Sequence, residues 1–251
     1  MTNEELITDR PEVEIARITI NRPSHRNALT PEIREEIKKL LRMHYQDESV
    51  KAIVLTGSNG HFCAGGDLGR LATLPKSEVT NLLRSGHELI RLLVESPKPV
   101  VAAVAGSAAG GGAGLALACD VVMMAEDAKF VLPFNRIGLV PDYGLAYTLA
   151  KRMGLPQAHR LMLNPEPISA QISLEKGLAD SVVPSKDLAA SAIKLAISLS
   201  QQSLMATAWI KKLALVQLNA LQETFELELA AQAECFKSTE FEKGVAAFLK
   251  R

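Results

Sequence analysis

Two glycine-rich segments carry the residue types that could do chemistry through the backbone. The first is His61-Phe62-Cys63-Ala64-Gly65-Gly66-Asp67-Leu68, and the second is Ala108-Ala109-Gly110-Gly111-Gly112-Ala113-Gly114-Leu115. Adjacent glycines let amides approach a ligand closely, and Asp67 can cap the segment that follows it. In the second segment the amides lie where a helix begins, and the dipole there favours negative charge. Each cluster taken alone is also explained by a tight turn or by close packing. Two donors on separate loops, however, suit a charge that develops on one oxygen during reaction. A dinucleotide site fits less well. Gly112 and Gly114 would open a G-x-G-x-x-G pattern, but Leu117 stands where its last glycine belongs, and no Gly-Lys-Ser/Thr makes a nucleotide loop.

The elements that must position these loops follow from the patterning. Residues 13–20 and 52–56 read as strands, the second closing at Gly57-Ser58-Asn59-Gly60. Thr30-Pro31-Glu32 is a helix start, with an N-cap hydroxyl, a proline in the first turn and an acid at the positive dipole end. Ile33, Ile37, Leu40 and Leu41 give that helix one apolar face. Residues 76–95 read as a helix with a stripe through Val79, Leu83, Gly86, Leu89 and Leu93, stopped by Pro97 and Pro99. Strands are expected at 100–104 and 121–125, on either side of the second glycine run and a helix reaching Cys119. Strand and helix alternate as in an α/β sheet with crossover helices. After about Lys186 the strand signal ends. Residues 1–186 are expected to form the core and 187–251 a helical appendage, whose Leu213, Leu215, Leu218, Leu221, Phe225, Leu229 and Phe236 must bury against the core or a neighbouring subunit.

Composition bounds the partners. The 251 residues are 47% apolar and 22% charged, with a formal net charge of zero. That is a globular balance, with no basic stripe for nucleic acid and no apolar run of the roughly 18 residues a membrane span needs. No targeting pattern opens the chain, so a cytoplasmic setting is expected. Cys63, Cys119 and Cys235 show neither a disulfide framework nor metal-ligand spacing, and are expected to be buried free thiols.

Taken together, the motifs resemble one family. Asn21-Arg22-Pro23 with Arg26-Asn27-Ala28-Leu29, the Phe62 to Leu68 loop, the Gly110-Gly111-Gly112 triplet, Cys119-Asp120, Lys129-Phe130, Gly138-Leu139-Val140-Pro141 and Phe248 occur in the order of the crotonase (enoyl-CoA hydratase/isomerase) superfamily. The resemblance implies an α/β spiral of ββα units with a helical C-terminal trimerisation region, assembled as a homotrimer or dimer of trimers. It implies a CoA thioester as substrate, polarised by the Gly66 and Gly111 amides, with no separate cofactor and no metal. It places CoA and substrate contacts around Arg26, Ala28, Ala64, Gly65, Asp67, Leu68 and Gly110, with Phe134 against the acyl group and Lys243 or Lys250 within reach of a CoA phosphate.

The same resemblance separates the reactions. Family hydratases use two glutamates, and the matching positions here hold Gly114 and Phe134. Hydration by that route is therefore not expected. Several branches instead place a catalytic acid where this chain has Asp142. In the isomerases one carboxylate takes a proton from C2 and returns it at C4, so the expected reaction converts a 3-enoyl-CoA to a 2-enoyl-CoA. Apolar neighbours such as Leu139 and Val140 would raise the Asp142 pKa and aid that shuttle. The alternatives are a dehalogenase-like or hydrolytic enzyme with Asp142 as nucleophile and His87 as base, an atypical hydratase, a non-catalytic CoA-binding protein, and an Asp142 that only caps a turn.

Overall fold

The computed structural model describes residues 5–214 and 218–249. Its strands are β1 (Leu6–Glu12), β2 (Ile15–Ile20), β3 (Ala52–Gly57), β4 (Val100–Val104), β5 (Ser107–Ala109), β6 (Val121–Ala125), β7 (Lys129–Val131), β8 (Ile168–Ser169) and β9 (Ser181–Val183). The first helices are α1 (Pro31–Gln46), α2 (Leu68–Ala72), α3 (Val79–Val94), α4 (Gly111–Ala118), α5 (Leu145–Met153) and α6 (Leu155–Leu163). They are followed by α7 (Ala170–Glu175), α8 (Leu188–Ser200), α9 (Leu204–Ala214), α10 (Leu218–Cys235) and α11 (Thr239–Leu249).

One sheet runs β1-β2-β3-β4-β6-β9, parallel except for the β1–β2 hairpin, and a smaller sheet runs β5-β7-β8. The chain repeats one move: a strand in the large sheet, a short strand in the small one, then a helix. β4, β5 and α4 make one such turn, and β6, β7 and α5 the next. In the turn before them a single bridge, Cys63 to Ala108, stands in for the small-sheet strand. This is the expected spiral of ββα units. It brings the segment after β3 beside the segment after β5, so both glycine loops open at one end of the sheets.

β4 is buried at every residue, because α4 packs on it and α8 crosses the sheet over β2, β3, β4 and β6. A parallel strand covered on both faces must be apolar throughout, and Val-Val-Ala-Ala-Val is. Thr30 caps α1 as expected, accepting from the Ile33 amide. The expected strand at 13–20 begins at Ile15 and has an unexpected partner in β1. That edge strand carries no clear alternation, because only Leu6 is buried, Ile7 is exposed, and Thr8, Asp9, Arg10 and Glu12 are polar or charged. The expected helix at 76–95 opens with a 3-10 turn at Lys76–Glu78 before α3.

The residues after 186 are not set apart from the rest. α8 belongs to the core layer, α10 packs on α3 and α5, and α11 packs on α2 and the Phe134–Ile137 turn. Phe225 and Phe236 are buried and Leu229 half-buried, whereas Leu213 is exposed with Met205, Trp209 and Ile210 on α9. Leu215 and the side chains of Leu218 and Leu221 lie outside the described residues. Cys63 and Cys119 are buried free thiols, but Cys235 is only half-buried.

Candidate active site

The Asn21–Leu29 segment is the brace for the first glycine loop. Asn27, fully buried, donates to the carbonyls of Ser58 (3.0 Å) and His61 (2.7 Å) and accepts from the Arg22 amide. The buried Arg22 guanidinium donates to Ala28 O and to Asp67 Oδ2. Backbone pairing completes the brace: Ala64 N to Arg26 O, Leu29 N to Gly65 O (2.7 Å) and Asp67 N to Leu29 O. Asp67 is thus committed to Arg22 and to capping α2 at the Arg70 amide. Its carboxylate serves the loop rather than the cavity.

The two loops then interlock through positions that only glycine can fill. A Cβ on Gly65 (φ 86°) would lie 2.6 Å from Ala109 O and 3.2 Å from the Gly111 amide nitrogen. One on Gly112 would lie 2.3 Å from Cys63 O. Any side chain at 65 would therefore cover the amide that opens α4. Among the described residues, neither the Gly66 nor the Gly111 amide donates a hydrogen bond.

A cavity opens on these amides. Ala64, Gly66, Leu68, Gly110, Gly111 and Phe134 line it, joined by Asp142, Tyr143 and Arg34. Gly65 lies just behind it, against Gly111. Arg26 is exposed, and neither it nor Ala28 lines this cavity. Lys243 is exposed on α11, while Lys250 and the Phe248 side chain lie outside the described residues. The position where a glutamate would follow the glycine triplet is closed. A Cβ on Gly114 would fall 2.5 Å from Tyr143 Cβ, and the Tyr143 ring lies against Gly111 and Gly86. Tyr143 takes a left-handed backbone (φ 55°) beside Gly144 (φ 65°), a conformation uncommon for an aromatic residue and expected where a turn is over-determined by its surroundings.

Asp142 stands at that turn, held from α10. Gln232, fully buried, grips Val140 through both backbone groups and donates toward Asp142 Oδ2 at 3.4 Å. Glu228, one helical turn earlier, accepts from the Gly144 amide at 3.2 Å, and its Oε2 lies 2.8 Å from His87 Nε2. His87 stacks on Phe225. Burial first, and then the Glu228 charge, push Asp142 up from the usual 3.8 to about 7. Burial likewise raises Glu228 to about 8 and lowers His87 to about 4. Burial thus disfavours the charged form of both partners in the His87–Glu228 contact. Asp142 Oδ1 is buried without a partner.

Sequence reasoning placed Asp142, the glycine loops and Phe134, but missed Arg34, Tyr143, Glu228 and Gln232. A signal existed for the last two. Phe225, Glu228, Leu229, Gln232 and Phe236 share one helical stripe, and polar residues in an apolar stripe need buried partners. His87 falls inside its own stripe, on Glu228 rather than on the cavity.

A family profile described as Enoyl-CoA hydratase/isomerase matches residues 10–251. The chain belongs to the enoyl-CoA hydratase/isomerase family. It is 38% identical to a probable enoyl-CoA hydratase of Rhodobacter capsulatus, covering 94% of this chain and 92% of that one. It is 34% identical to the 1,2-epoxyphenylacetyl-CoA isomerase of Escherichia coli, over 98% and 96% of the two chains. A crystal structure of an enoyl-CoA hydratase from Mycobacterium avium subsp. paratuberculosis superposes with a TM-score of 0.89 at 30% identity, covering 98% of this chain and 99% of that one. Family members thus include both hydratases and an isomerase. The family's substrates are acyl-CoA thioesters, and the crotonase fold expected from the motifs is the fold found.

Proposed function

We propose that this enzyme shifts a double bond in an acyl-CoA thioester, converting a 3-enoyl-CoA to the conjugated 2-enoyl-CoA. The Gly66 and Gly111 amides hold the enolate oxygen, and Asp142 moves the proton. The observation that carries this reading is the Asp142 carboxyl on the wall of the cavity that both glycine loops open into, with Oδ1 unpartnered. With C2 of the thioester in reach, Asp142 as carboxylate takes a proton and the electron pair passes to the thioester oxygen. The neutral acid then returns that proton at C4, and the pair re-forms the carbonyl and the shifted double bond. One group serves both steps, and a pKa near 7 keeps both its forms populated. Phe134 and the surrounding apolar wall keep water from the dienolate.

Hydration is disfavoured because Tyr143 fills the space beside Gly114 that a second acid would need. The dehalogenase-like reading is weakened, since His87 is buried against Glu228 and Phe225 and does not line the cavity. The E. coli relative is named 1,2-epoxyphenylacetyl-CoA isomerase, so isomerase chemistry stands in this family beside hydration. The decisive measurement follows conjugated enoyl-CoA by absorbance from a 3-enoyl-CoA, with wild type beside Asp142→Asn. Loss of most turnover with retained CoA binding is expected. An unchanged rate in Asp142→Asn excludes this mechanism, and a mass adduct on Asp142 replaces it with a covalent one.

We also propose that the chain works as a homotrimer or dimer of trimers. Met205, Trp209, Ile210 and Leu213 give α9 an exposed apolar face that a second copy would cover.

A further inference from the structure

Arg34 is the charged group on the cavity wall that the isomerase chemistry does not use. It lies on α1, 4% exposed, and lines the same cavity as Gly66, Gly111 and Asp142. Its guanidinium makes one hydrogen bond, from Nη1 to Tyr143 Oη at 3.2 Å, and its Nε is buried without a partner. No carboxylate pairs with it among the described residues. The nearest acids on its own helix are committed elsewhere, Glu35 to Lys38 and Ser85 and Glu32 to Arg70. Asp142 lies close enough for Arg34 to act on its charge, but as the last and smallest of its influences.

A buried cation with an idle donor is costly unless an oxygen meets it. The rest of the wall is mostly hydrocarbon, including Leu68, Leu71, Leu82, Leu83 and Phe134. A hydrocarbon acyl group would add no acceptor and would seal the guanidinium further from water. An acyl group with its own oxygen would satisfy it. In an apolar pocket a few placed polar groups fix orientation and specificity, and leaving one unpaired rejects the analogue that lacks the matching atom. Arginine's planar fork suits a carboxylate best.

We propose that Arg34 is a specificity-determining residue, and that the acyl group this cavity takes carries an acceptor oxygen besides the thioester carbonyl, a carboxylate above all. This rests on the reading of the cavity as an acyl-CoA site, so it is tested by binding rather than turnover. Saturated thioesters cannot react in the double-bond shift. Calorimetric titration of the intact enzyme compares butyryl- to octanoyl-CoA with their dicarboxylic counterparts, succinyl- to suberyl-CoA, and with ketone-ended chains.

At one chain length the carboxylate-ended thioester should bind about tenfold or more tighter than the methyl-ended one, the scale of a charge-assisted hydrogen bond, with the ketone between. Arg34→Met should erase that preference, and Arg34→Lys should keep part of it. Methyl-ended chains binding as tightly as carboxylate-ended ones at every length overturns the inference while leaving the isomerase reading intact. A preference that survives in Arg34→Met also overturns it, by placing recognition elsewhere. Failure of every thioester to bind overturns the acyl-CoA reading and this inference with it. The comparison on wild type stands even where a variant folds poorly.

Discussion

Asp142 owes its raised pKa to what surrounds it. Desolvation penalises its charged form, the Glu228 carboxyl adds like-charge repulsion, and His87, Gln232 and Arg34 pull the other way. The acid ends near 7, so the base form grows as pH rises through that value. Glu228→Gln removes the repulsive partner and lets Asp142 ionise more easily. The rising limb of kcat/KM against pH should then move to lower pH, whereas a variant that merely loosened the fold would lower the rate at every pH. Stability carries the opposite sign. A carboxyl whose folded pKa exceeds its unfolded value favours the native state below about 4, and that contribution is lost as pH rises through about 7. Asp142→Asn should therefore raise Tm relative to wild type at pH 8 by about 2–4 °C or more, and the gain should shrink toward pH 5. A gain that is the same at both values contradicts the buried acid.

Elements matter here through how closely they approach. The segment after β3 and the start of α4 touch at Gly65 and Gly112, where the intruding atoms would be backbone oxygens that cannot turn aside. Gly65→Ala must hold an alanine at φ 86° against Ala109 O, and should cost about 2–4 kcal/mol by denaturant titration. Its Cβ would also cover the Gly111 amide, so activity should fall further than the lost stability explains. The other clamp is α10 on the 138–144 turn. Gln232→Leu leaves both polar groups of Val140 unpaired and should cost about 1–3 kcal/mol. Its larger effect should be on kcat, since Asp142 loses the helix that aims it. A Gln232→Leu enzyme with wild-type kcat would show that the turn holds itself.

At the scale of the molecule, the segments after 186 complete the site rather than trail it. α8 covers the large sheet, α10 supplies Glu228 and Gln232, and α11 supports α2 and the Phe134 turn. Lys211 on α9 ties that helix to Asp120, whose carboxylate also accepts from the Val100 amide at the start of β4. The opposite side of α9 presents Trp209 and Ile210 to solvent in one chain. Sedimentation should find three or six chains together, and Ile210→Glu should shift the population toward single chains by burying an unpaired charge at the contact. A wild-type protein that sediments as one chain refutes the assembly.

The local signals determined a good deal on their own. Thr30-Pro31-Glu32 fixes the α1 start through cap and dipole, the apolar run of β4 announces a strand covered on both faces, and the glycine clusters mark close backbone approach. The motif order carries the fold and the family, and Asp142 stands out as the acid left once Gly114 and Phe134 replace the usual pair. Short-range chemistry sets all of these, so they survive being read one segment at a time. What only tertiary structure decided joins residues far apart in the chain: Glu228 and Gln232 on Asp142, Tyr143 in the space beside Gly114, Arg34 on the wall of the same cavity. Each looks like an ordinary helix or turn residue until packing removes the water around it. Burial then raises an unremarkable carboxylate to a pKa of about 7 and leaves the Nε of a surface-type arginine without a partner.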